Sequence, residues 1–79
     1  MTDDTVFMPI WTVYDRPKDY PDLFVARRFD ILIDKPEPQA TDDIVTAASL
    51  QELREMLPIG LTRIPRLHGD EPQIVEVWL

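Results

Sequence analysis

The sequence predicts a small α+β domain, a mainly antiparallel sheet of three to five strands with one helix packed on one face. Two runs rich in aromatic and β-branched residues, VFMPIWTVY (Val6 to Tyr14) and FVARRFDILI (Phe24 to Ile33), read as strands. A third run, QIVEVWL (Gln73 to Leu79), closes the chain in the same way. One segment alone switches to helical period, with Leu50, Leu53 and Leu57 on a single apolar stripe and Met56 beside them.

Taken in order, the first strand contains Pro9, which has no amide donor and so belongs at the start of the ladder or on an edge. DRPKDYPDL, with prolines at 17 and 21, makes a loop or wide hairpin connection, and the second strand returns antiparallel to the first. DKPEPQATDD (34–43) is expected to be a polar connection, because its P-E-P core favours extended backbone, and IVTA (44–47) a short third strand. Ser49 followed by Glu52 fits a capping box at the helix start. Pro58 should stop the helix near Leu57, and Gly60 can take a left-handed turn. LTRI (61–64) is a short extended piece, PRLHGDEP a turn-rich loop, and the last strand is expected to be held inside the sheet.

Seventy-nine residues make one domain, with Met1 to Thr5 expected to be flexible. A chain this short buries only about 60 to 65% of the surface its unfolded form exposes, so the core must be thin. No cysteine is present, which removes disulfides, thiolate nucleophiles and Cys-ligated metals. The amino terminus does not read as a signal peptide and no run is long enough to span a bilayer, so a cytoplasmic location without membrane contact is the default. Fifteen acidic against eight basic side chains give a formal charge of -7, which repels polyanions and disfavours nucleic acid.

The segments WTVYDRPKDYP, FVARRF, LQELREMLPIGLTRIPR and DEPQIVEVWL resemble a group of short uncharacterised bacterial and phage-borne proteins of unknown function. The resemblance covers most of the chain from Trp11 onward. It implies no activity, substrate or catalytic residue, and it favours a small accessory protein with a binding role.

The pair Arg27 and Arg28 interrupts an apolar strand. Successive strand residues face opposite ways, so the two cannot form one cationic clamp without a bulge. Arg28 shares its face with Asp30, which makes a surface ion pair the simplest reading. Arg27 shares its face with Val25, Phe29 and Ile31, where an arginine snorkels at the rim, pairs with a carboxylate, or anchors a partner or an anion. Arg63 and Arg66 could form a basic patch with Lys18 or Arg16, although scattered solvated charges are the simpler account. His68, the only histidine, lies in a loop beside Asp70 and Glu71 and reads as solvated; Ser49, the only serine, reads as the helix cap. The acids lack calcium-loop spacing, and the two glycines make no phosphate cradle, so neither a metal nor a cofactor is expected.

A single short helix can cover only one sheet face. In the last strand Val75, Val77 and Leu79 share one side and Ile74, Glu76 and Trp78 the other. The uncovered side is expected to carry Trp78, for which core and interface are equally open readings, with Trp11 a second candidate whose simpler place is the core. Tyr20, between Asp19 and Pro21, leans toward contact. The expected function is therefore a noncatalytic protein-interaction or accessory protein that docks a partner or a second copy, with Arg27, Trp78, Tyr20 and Trp11 as interaction residues. A nucleic-acid-associated regulator and a small enzyme are the alternatives. No small-molecule substrate is expected, since little room is left for a pocket.

Overall fold

The computed structural model describes residues 6–65 and 73–79, so the expectations for Met1 to Thr5, Arg66 and His68 fall outside the described residues. In chain order the elements are β1 (Val6–Asp15), β2 (Phe24–Leu32), β3 (Gln39–Ala47), α1 (Leu50–Met56), β4 (Arg63–Pro65) and β5 (Ile74–Trp78). The strands form one sheet in the order β3-β2-β1-β5-β4, and every neighbouring pair is antiparallel. This is the expected α+β architecture, with β5 held between β1 and β4.

The order places β3 and β4 at opposite edges. The chain joining them must cross the whole sheet, and it carries α1 with it over one face. Beneath this crossover Trp11, Val13, Ala26, Leu53 and Leu57 form the buried core, with Phe24, Val45, Ala47, Leu50, Val75 and Trp78 packed around them. Leu53 is completely buried, which contributes about 2 kcal/mol of apolar transfer. Leu61, just before β4, also packs on this core, so the tail of the crossover extends the cover that a seven-residue helix could not give alone.

The helix starts and stops where its residues require. Ser49 Oγ accepts from the Glu52 amide at 3.2 Å, and its hydroxyl donates to Glu52 Oε1 at 3.0 Å. The glutamate thus returns to the cap hydroxyl, in place of the cap amide that it reaches in a standard capping box. Leu57 is extended at ψ 154°, as a residue before proline prefers, and Gly60 takes φ +94°. Pro9 pairs with Asp30 on β2, while the β5 ladder begins only at Trp11, so the missing amide falls where β1 has one neighbour.

Two expectations are corrected. β3 runs over nine residues from Gln39, which takes half of the expected 34–43 connection into the sheet. Asp30 pairs with Gln39 and Phe29 with Ala40, and Thr41 Oγ1 donates to the Arg28 carbonyl at 2.9 Å. An edge strand exposed to water needs no apolar alternation, so QATDD shows none.

The second correction concerns Trp78, while Trp11 takes the core place that was its simpler reading. Trp11 is 7% exposed, and Trp78 is half-buried against the same core, so both lie under the crossover and not on the uncovered face. The register shows why. Val13 pairs with Glu76 but Tyr14 pairs with Ile74, so Val75 is an extra residue at a bulge. Ile74 therefore stays with Tyr14 on the open face while Glu76 and Trp78 turn to the helix side. Simple alternation had kept all three together.

Candidate functional site: the uncovered sheet face

The antiparallel registers bring alternate residues of each strand to the face opposite α1. Thr12 lies across from Arg27, Ile10 from Phe29, Tyr14 from Val25, and Arg27 from Ile44. Val77 joins them beside Thr12, and Ile64 follows on β4. The sequence forms this face because alternate positions of the strands are mostly apolar or hydroxyl residues, with Arg27 the exception among those named.

A shallow groove of about 340 Å³ crosses this face. Ile10, Thr12 and Tyr14 form its floor along β1, with Phe29, Ile74 and Pro38 beside them. The lining is apolar apart from two hydroxyls, so it can desolvate side chains of a ligand but offers no charged group for acid–base chemistry. Among the described residues, no cluster of histidine and carboxylate side chains is placed to hold a metal ion. None of the described helices is long and apolar enough to cross a membrane.

Both neighbouring loops bear on the groove. Arg27 forms an ion pair with Asp19, which draws the β1–β2 loop toward the open face. At that end Val25 is completely buried although no helix covers it. Tyr20 is half-buried within this loop, where its amide donates to the Pro17 carbonyl at 2.9 Å and its carbonyl accepts from the Leu23 amide at 3.2 Å. Pro38, from the β2–β3 connection, closes the other end.

Of the residues singled out in the sequence, the structure places Arg27 on the open face, with Tyr20 in the loop beside it. Trp11 and Trp78 are on the other side. Arg63 approaches Glu76 Oε1 at 3.7 Å, so its guanidinium faces a carboxylate of its own chain. Sequence reading missed Ile10, Phe29 and Pro38, whereas Tyr14 was available as an interface-type aromatic and Ile74 was already assigned to the uncovered side. The signal was present for β1 and β2, whose alternation is regular, but choosing the face required knowing which side the helix takes.

The arginines among the described residues are matched by carboxylates within the molecule. Arg28 lies 3.1 Å from Asp30 and 2.5 Å from Asp43, and Arg16 lies 2.9 Å from Asp15 with its guanidinium 5.5 Å from the Phe24 ring. Arg54 and Arg63 converge on Glu76, which is 1% exposed. Burial pushes the Glu76 carboxyl up, but hydrogen bonds from Arg54 and Trp78, with the charges of Arg54 and Arg63, hold it below the usual carboxylate value. The hydrogen bond from Arg54 in turn raises the arginine above its ordinary value.

No family model, curated protein or solved structure matches this chain. The resemblance read from the sequence adds no residue to the site, which therefore rests on geometry and chemistry alone.

Proposed function

We propose that this domain is a noncatalytic protein-interaction module that docks a partner on the sheet face opposite α1. The observation that carries the reading is the one-sided cover: the crossover buries one face, while Ile10, Phe29, Ile74 and the exposed Ile44 lie on the other. An apolar sheet face of this kind is unfavourable in water and becomes favourable when a partner removes it from solvent.

Docking by strand addition fits less well. β4 is three residues long and ends in Pro65, which has no amide to donate. β3 carries Asp42 and Asp43 at a register shift opposite Arg28. Short strands, proline, charge and bulges are the devices that keep edges from pairing. A nucleic-acid-associated regulator is the weaker alternative, because Arg16, Arg27, Arg28, Arg54 and Arg63 all face carboxylates of their own chain.

The test is affinity capture of the tagged protein from a host lysate, with and without nuclease, comparing the wild type with Phe29→Ser after circular dichroism has shown that the variant folds. A stoichiometric protein that survives nuclease and is lost with Phe29→Ser supports the module. Capture that requires intact nucleic acid, or that ignores Phe29→Ser, overturns it.

A further inference from the structure

Resting on the docking reading above, we infer that the groove takes a basic amphipathic segment of a partner protein, with an apolar strip against Ile10, Phe29 and Ile74 and lysine or arginine side chains at its rim.

The length of the groove sets the first constraint. Ile10, Thr12 and Tyr14 occupy alternate positions on β1, so the floor runs about 13 Å at the rise of a strand. Apolar residues at i, i+4 and i+7 of a helix span about 10 Å. Two turns of an amphipathic helix laid along β1 therefore match the floor, and the blunted edges leave the face as the place to lie.

Charge sets the second constraint. Pro38 forms one wall, and the residues beside it in sequence include Asp34 and Glu37, followed on β3 by Asp42. All three are exposed, and none forms an ion pair among the described residues, whereas Lys35 is the cation between them. The nearby guanidiniums of Arg27 and Arg28 are already matched by Asp19, Asp30 and Asp43. Three exposed carboxylates against one lysine leave the segment around Pro38 net acidic, which favours cationic flanks on a partner lying there and accelerates their encounter. The same argument opposes a second copy as the occupant. Two chains of formal charge -7 meeting face to face would bring acidic walls within a Debye length, about 8 Å in physiological salt.

The experiment titrates the isotope-labelled full chain with a short amphipathic leucine–lysine peptide and with its leucine–glutamate counterpart, at low and high salt. Methyl and amide shifts locate the binding, and sedimentation velocity without peptide gives the oligomeric state. The inference expects shifts at Ile10, Thr12, Phe29 and Ile74, about tenfold tighter binding of the lysine peptide at low salt, and a smaller difference at high salt. Glu37→Lys should weaken that binding several-fold. Glu55→Lys, the same charge change on the exposed side of α1, should alter it less than twofold. Equal binding of both peptides in the groove, or of neither, overturns the basic partner. Equal effects of the two lysine variants, or a dimer that buries the groove, do the same. Equal binding in the groove leaves the docking face standing, whereas shifts confined to α1 remove the docking reading as well.

Discussion

Arg54 on α1 holds both carboxylate oxygens of Glu76 on β5, with Nε 3.0 Å from Oε2 and Nη2 2.7 Å from Oε1. Trp78 Nε1 donates to the same Oε2 at 2.8 Å. The helix contacts β2 and β3, so this bidentate pair ties it to a strand on the far side of β1. It thereby helps to fix which sheet face is covered and which is left open.

Removing the cation leaves a carboxylate that is almost wholly buried. Arg54→Ala should lower unfolding stability by about 2 kcal/mol, less than the roughly 3 to 5 of a fully buried pair because the arginine is itself partly solvated. Glu55→Ala, its exposed neighbour, should stay within about 0.5 kcal/mol. Urea unfolding of the two variants decides this, and equal midpoints would contradict the tie.

The same pair predicts a direction with pH. The folded Glu76 carboxyl lies below its ordinary value, while the unfolded one takes up its proton near the usual glutamate value of about 4.3. Its stabilisation is therefore complete above about pH 5 and is lost as pH falls through the folded value. Stability of the wild type should decline more steeply from pH 5 downward than that of Glu76→Gln, measured by urea unfolding at each pH. Parallel curves would show that the ion pair is not formed in solution.

Leu53 and Gly60 test the crossover by different physics. Leu53 is completely buried under the sheet, so Leu53→Ala should cost about 2 to 5 kcal/mol through lost transfer energy and cavity. A Cβ on Gly60 would meet nothing within 4 Å, yet its φ is +94°. Gly60→Ala should therefore cost about 1 kcal/mol from backbone strain alone. Thermal unfolding of both variants checks the ranking.

The open face predicts tolerance where the core predicts collapse. Ile44 is 39% exposed beside Arg27, so Ile44→Asp should change stability by less than about 1 kcal/mol while weakening partner capture at least tenfold. Val13→Asp, which buries an unpaired charge, should prevent folding. Circular dichroism followed by capture separates the two effects.

The fold was legible because its strongest signals are local. Ser49, Glu52, Leu53, Leu57 and Pro58 specify a capped, proline-terminated helix without help from the rest of the chain. β1 and β2 show their pairing through aromatic and β-branched residues on both faces. Gln39 to Asp43 was not legible, since an edge strand gains its hydrogen bonds from Arg28 and Phe29 on β2 and needs no apolar side chains. The site was half legible. One helix implied one bare face, but β5 hid which one, because the bulge at Val75 breaks the alternation between Ile74 and Trp78. A glutamate two residues before a tryptophan was the available clue, since an indole N–H under cover needs an acceptor.

The most direct measurement of the central claim uses isoleucine methyl labels alone, since isoleucines mark both sides of the molecule. Ile10, Ile44 and Ile74 lie on the open face, whereas Ile59 stands fully exposed in the crossover. With the captured partner bound and irradiated, cross-saturation should attenuate the methyls of Ile10, Ile44 and Ile74 and leave Ile59 unchanged. Attenuation of Ile59 with the other three untouched would put the partner on the helix side and contradict the account.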